Sequence, residues 1–175
     1  RLDEGMQAYG MGEEAKKLKI CNPNTMRMFL EFSSLACPAE DYVLAIWGHG
    51  SGFDAMLDIP GKYEILNNTT RGVMVDEWVD NEWMDMYEMY DAMQAAGIDH
   101  FNTLMFHNCF MGNMESLTQA KDFADYIIAS AHVLSSDGLL MTEFVRGLKE
   151  TGDAEKAGGL MFERSTPYWQ NGYME

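Results

Sequence analysis

Two continuously apolar runs interrupt an otherwise mixed sequence: Tyr42 to Trp47 (YVLAIW), and Leu104-Met105-Phe106 inside Phe101 to Glu115 (FNTLMFHNCFMGNME). Runs that are apolar at every position, rather than at alternate ones, predict strands covered on both faces, as parallel sheets require. Tyr126 to Ser130 (YIIAS) reads as a third such strand. Between the runs the apolar spacing changes to three and four. Thr25 to Leu35 sets Met26, Phe29, Leu30 and Ser33 on one face of a short helix, capped by Asn24 or Thr25 and closed by Cys37-Pro38. Val79, Trp83, Tyr87, Tyr90 and Met93 predict a longer helix from Asp76 to about Ala96, ended by Gly97. Asn113 to Phe123, with Met114, Leu117 and Ala120 inward, and Thr142 to Lys149 are further helices.

Strand, helix, strand, helix, strand predicts right-handed crossovers and an α/β fold with a mostly parallel sheet. Three stretches fall outside that pattern. Residues 1–24 are polar and glycine-bearing and read as an N-terminal loop segment ahead of a core over residues 25–150. Phe53 to Arg71 has no sustained period and reads as an exposed loop carrying the basic residues Lys62 and Arg71. Residues 151–175 are aromatic but weakly periodic; they read as a C-terminal segment of the same domain, with no element assigned.

Composition narrows the partners. The 175 residues suit one domain with a real core, and 47% of them are apolar. A net charge of −16 with no basic stripe excludes a nucleic-acid backbone as partner. Most of the carboxylates read as a solubilising surface. No run reaches membrane-spanning length, and RLDEGMQAYG is no signal peptide. With no initiator methionine, the chain reads as a processed product or an excerpt. Three cysteines, Cys21, Cys37 and Cys109, leave at least one thiol free, and a Cys21–Cys37 bridge stays open. None of them has zinc-ligand spacing, and no cofactor is required by the sequence.

The chemistry sits where the apolar runs stop. YVLAIW ends in Gly48-His49-Gly50-Ser51-Gly52, and the Leu104–Phe106 run ends in His107-Asn108-Cys109. If these strands are parallel neighbours, His49 and Cys109 emerge together at the carboxyl rim, where open α/β sheets bind their ligands. A cysteine beside a histidine is the minimal equipment for thiolate attack on a carbonyl. A helix beginning after Gly112 would bring its positive end close to the thiol. Taken alone, Cys109 would read as a buried, inert thiol; the histidine on the matching strand end changes that reading.

YVLAIWGHGSG resembles the histidine motif, and FNTLMFHNCFMGNMES the cysteine motif, of the clostripain family of cysteine peptidases, in the group that includes caspases, gingipains and legumain. Order, spacing and the Cys109-x-Met111-Gly112-x-x-Glu115 pattern carry the resemblance, which extends from about Thr25 to Arg146. It implies a caspase-like three-layer α/β/α sandwich, with leading strands that are missing from this chain or degenerate in residues 1–24. It also implies endopeptidase activity on proteins or peptides: Cys109 as nucleophile, His49 as general acid and base, and the Gly50 and Cys109 N–H groups as oxyanion hole. His107, Ser130 and His132 would line the substrate pocket. His107 stands where the family usually has an acid, and Ala131 follows Ala129-Ser130 where Glu is common, so preference for cleavage after Arg or Lys is expected to be weak. Processing at Lys62 or Arg71, use of Ca²⁺, and secretion or a cell-envelope location are implied at family level; Asp54, Asp58 and the acidic helix offer carboxylates, but with no EF-hand-like spacing. The alternative is a catalytically drifted relative that acts as a binding domain.

Overall fold

The computed structural model describes residues 19–52, 74–76, 82–98, 100–134 and 139–172. The first helix, α1, spans Pro23–Ala36. Its cap is Asn22, two residues before the earliest position expected, and the Asn22 side chain accepts a hydrogen bond from the Asn24 N–H at 2.9 Å. Pro23 explains the offset: its fixed φ and missing N–H suit the first helical position. The expected boundary between residues 24 and 25 therefore falls inside this helix. Met26 and Leu30 are buried, but Phe29, assigned to the same face, is exposed. Cys37 ends the helix as expected, donating its N–H to the Ser33 carbonyl.

Strand β1 (Val43–Trp47) pairs in parallel with β4 (Phe101–His107), and β4 pairs in parallel with β5 (Ala124–Ile128). The resulting sheet has the order β1-β4-β5. Tyr126 to Ser130 was the expected third strand; the observed one begins and ends two residues earlier. No strand precedes β1 among the described residues, and β1 is paired on one side only.

The helix expected from Asp76 is the largest correction. Met74–Asp76 (β2) and Glu82–Met84 (β3) instead form a two-stranded antiparallel sheet, and helix α2 starts at Met86 and ends at Ala95. Trp83 therefore sits on a strand, and Val79 lies outside the described residues. A reciprocal capping box sets the start: the Asp85 side chain accepts from the Glu88 N–H at 2.8 Å, and the Glu88 carboxylate accepts from the Asp85 N–H at 3.0 Å. Tyr87, expected on the inward stripe, is exposed, whereas Met86, Met89, Tyr90 and Met93 are buried. Gly97 takes the left-handed conformation (φ 73°) expected just past the helix.

Helix α3 covers Met114–Ala120, with Ser116 and Ala120 buried and Met114, expected inward, exposed. Helix α4 spans Met141–Thr151. The tail left without an element forms α5, Ala154–Gly172. Gly147 of α4 lies against Ala157 of α5 so closely that a Cβ there would meet the Ala157 Cα at 2.8 Å. Small residues at the crossing allow the two helices to pack, and Ala157, Met161 and Ser165 are buried.

Two cores separate the layers. Leu44, Ile46, Leu104 and Phe106 point to one face, where Met26 and Leu30 of α1 and Met89, Tyr90 and Met93 of α2 cover them. Met105 and Ile128 point to the other, under Phe144, Ala157 and Met161, with Ala45 at its margin. Strand residues alternate between these faces, so both sides of β4 are dry, which is why its run is apolar throughout. No described helix is long and apolar enough to cross a membrane.

Candidate active site

The parallel register of β1 and β4 sets Trp47 opposite His107. The Gly48 N–H still reaches the His107 carbonyl at 3.5 Å. The pairing ends there; His49 and Cys109 each follow two residues later, in the loops that leave β1 and β4 at the same carboxyl end of the sheet. His49 is exposed and Cys109 half-buried, as chemistry on an outside substrate needs.

Glycines let the strand-end loops interlock. A Cβ on Gly50 would meet the Asn108 Cβ at 2.7 Å and the Cys109 carbonyl oxygen at 2.8 Å. One on Gly52 would meet the Phe110 carbonyl oxygen at 2.5 Å, and one on Gly112 the Ala131 nitrogen at 2.7 Å. The histidine loop therefore docks on the cysteine loop, and the cysteine loop on the segment after β5. Asn108, 1% exposed, ties the first pair by donating its side-chain N–H to the His49 carbonyl at 3.4 Å. The third loop is held by Gly112 N–H to the Ser130 carbonyl (2.7 Å) and Phe110 N–H to the His132 carbonyl (3.2 Å).

The thiol meets that third loop directly. The Leu134 N–H donates to Cys109 Sγ at 3.3 Å, and the Leu134 carbonyl lies 3.8 Å from the sulfur as a possible acceptor. The backbone N–H groups of Gly50 and Cys109 make no hydrogen bond among the described residues. Phe110, directly after the cysteine, has φ 60°, a left-handed conformation that costs about 1–2 kcal/mol in a residue with a Cβ. The Asn113 side chain steadies that turn by donating to the Phe110 carbonyl at 2.6 Å, and it also caps α3 through the Ser116 N–H.

Ser130 and His132 lie in the loop that contacts the cysteine turn, but the Ser130 hydroxyl is engaged within the loop. It donates to the His132 carbonyl at 3.0 Å and accepts from the His132 N–H at 3.1 Å. The His132 side chain is exposed. Lys62, Arg71, Asp54 and Asp58 lie outside the described residues. All three cysteines are thiols: Cys21 is buried, with Sγ 3.4 Å from the Met74 carbonyl, and Cys37 is exposed, so the open Cys21–Cys37 bridge is absent. No group of three or more His, Cys, Asp or Glu among the described residues is arranged to hold a metal ion.

His107 is 4% exposed, and neither ring nitrogen has a hydrogen-bond partner among the described residues. Its ring stacks on the Trp47 indole, with centroids 4.3 Å apart and planes at 18°. Burial holds its pKa below the ordinary 6.5, so it stays neutral near pH 7. The folded chain then binds fewer protons than the unfolded chain, and this contribution to stability is present above pH 6.5 and lost as pH falls below it. His107→Phe keeps the stack and removes two unpartnered nitrogens. Its unfolding free energy at pH 7.5 is expected to match or exceed the parent's by up to ~1 kcal/mol. Its advantage over the parent should widen between pH 6.5 and 5; denaturant melts across that range check both points.

Residues absent from the sequence-based site are Trp47, Asn108, Phe110 and Leu134. Asn108 and Phe110 flank the cysteine, so proximity was a signal; Trp47 read as strand core. Nothing in the sequence distinguished Leu134, because only folding brings its N–H to the sulfur.

The fold has solved counterparts. A secreted C11 cysteine protease from Bacteroides thetaiotaomicron, in complex with an irreversible peptide inhibitor, matches with a TM-score of 0.66 at 21% identity, over 84% of this chain and 38% of its own. A second structure of a secreted C11 cysteine protease from Bacteroides thetaiotaomicron matches with a TM-score of 0.56 at 21% identity, over 74% of this chain and 36% of its own. An inactive zymogen C11 protease from Parabacteroides distasonis gives 0.58 at 19% identity, over 86% of this chain and 37% of its own. The chain thus spans less than two-fifths of the length of these proteins. No curated protein matches it. The α/β sandwich with a mostly parallel sheet is the fold of these caspase-like proteases. The sequence model of the clostripain family matches residues 2–170, nearly the whole length, and the chain belongs to that family.

Proposed function

We propose that the chain carries the catalytic core of a cysteine endopeptidase that cleaves proteins or peptides through Cys109 and His49. What supports this reading is that β1 and β4 are parallel neighbours, so the loops carrying His49 and Cys109 leave the same end of the sheet, where they dock on each other. The Cys109 thiolate attacks the scissile carbonyl carbon, forming a sulfur–carbon bond while the carbonyl electrons move onto oxygen. The N–H groups of Gly50 and Cys109 receive that oxyanion, a contribution of about 10²–10³ in rate. His49 protonates the departing amine, the carbon–nitrogen bond breaks, and a thioester remains. Water, deprotonated by His49, hydrolyses the thioester and returns the thiolate.

The same reading covers specificity and setting. WGHGSG, HNCFMGN and ASAHVL, the described parts of the three loops at the rim, carry no Asp or Glu, which supports weak preference for Arg or Lys. Self-processing at Lys62 or Arg71 is disfavoured for the same reason. Secretion or a cell-envelope location is proposed from the solved relatives described as secreted. A calcium requirement remains a family-level proposal, and no step above uses the ion.

Irreversible peptidyl electrophiles test the reading. Mass spectrometry is expected to find the adduct on Cys109 and not on Cys37, although Cys37 is the more exposed thiol. Equal modification of both, or of neither, would leave the chain as a binding domain. A non-peptidyl alkylating reagent should modify Cys37 readily and serves as the control.

A further inference from the structure

Trp47 is 63% exposed although it lies flat on a buried ring. One face of the indole rests on His107, and the remainder is open to solvent. Trp47 and His107 are the last paired residues of β1 and β4, and His49 and Cys109 each follow two residues later in the loops at that end, so about 7 Å of backbone at most separates each pair. A peptide whose carbonyl sits at Cys109 therefore has an exposed indole within reach of the neighbouring side chain.

The surroundings decide which side chain the indole suits. His107 behind it is held neutral by burial and offers no counter-charge to a cation. Among the described residues of these loops, 47–52, 107–113 and 129–134, none carries a carboxylate. Val133, on the loop that contacts the thiol, is 65% exposed and adds apolar surface. A cation over an exposed indole gains only a weak attraction when no carboxylate assists. An aromatic or long aliphatic group gains by burying its own area, and a ring gains further by stacking.

We infer that Trp47 is a specificity-determining residue. Its open face receives the side chain on the acyl side of the cleaved bond, and that side chain is aromatic or long and apolar. The inference rests on the Cys109–His49 reading and adds the substrate class. His107 backs the indole and fixes its plane without touching substrate.

The test uses irreversible peptidyl electrophiles that differ only in the residue next to the electrophile: Phe, Leu, Ala or Arg. The rate of Cys109 modification on the full chain is the readout. Phe and Leu are expected to react about tenfold or more faster than Ala, as a filled apolar pocket discriminates. Trp47→Ala should bring the ratio of Phe to Ala rates within that variant close to one, and Trp47→Phe should restore most of it. A Phe-to-Ala ratio that survives in Trp47→Ala overturns the inference, as does an Arg probe that reacts fastest. If no peptidyl probe reacts while iodoacetamide still alkylates Cys109, the peptidase reading fails and the inference fails with it.

Discussion

Replacing Cys109 by alanine, His49 by alanine, or both is expected to lower peptide hydrolysis to one common floor, about 10³-fold or more below the parent chain. Residues that act as a unit are not additive, so the double variant should lose no more than the worse single one. Stability gives the control. His49 is exposed and Cys109 half-buried, so neither truncation opens a large cavity, and unfolding midpoints should stay close to the parent's. Steady-state hydrolysis of a peptide substrate, read alongside thermal melts, separates the two effects. Additive losses would mean that the residues act independently, and unchanged hydrolysis would remove the dyad altogether.

Gly52→Ala is the variant with the largest expected effect on the fold around the site. At Gly52 the backbone is left-handed (φ 63°), and a methyl group would fall 2.5 Å from the Phe110 carbonyl oxygen and 2.6 Å from the Asn113 Nδ2. Those two atoms are bonded to each other and hold the turn after Cys109. The backbone penalty of about 1–2 kcal/mol and an overpacking cost of about 1–3 kcal/mol add to a loss of ~2–5 kcal/mol. Activity should fall with stability, because the clash displaces the nucleophile's turn. Gly97→Ala isolates the backbone part: its φ is 73°, yet nothing lies within 4 Å of the added methyl. It should cost ~1–2 kcal/mol and leave kcat/KM unchanged. If Gly52→Ala costs no more than Gly97→Ala, the interlock of the two loops is not tight in solution.

The glycines around His49 also show where reading by residue type falls short. Flanking a catalytic histidine, they suggest room for substrate backbone. At Gly50 and Gly52 that room is filled by Asn108, the Cys109 carbonyl and Phe110, atoms of the other catalytic loop. They hold the two strand ends together. Which neighbour occupies the space beside a glycine depends on sheet order, and the local sequence does not encode that order.

The expected helix from Asp76 fails for a different reason. Val79, Trp83, Tyr87 and Tyr90 have helical spacing, but Asp85 and Glu88 form a capping box that starts the helix at Met86. The cap was visible in the sequence; a periodic stripe outweighed it. In α5, Pro167 and Gly158-Gly159 blurred the periodicity of a segment held in place by packing on α4 through Gly147.

By itself the sequence determined the family and the class of fold. A continuously apolar run has few stable homes besides a sheet covered on both faces, and the motifs around His49 and Cys109 sit where two such runs end. Tertiary structure alone decided the rest. Pairing β1 with β4 in parallel brought the loops that carry His49 and Cys109 to the same end of the sheet. Folding also brought the Leu134 N–H to the sulfur, and burial under Trp47 made His107 a neutral support for an exposed indole. These outcomes depend on contacts between residues far apart in the chain, and periodicity and residue type carry information only over a few neighbouring positions.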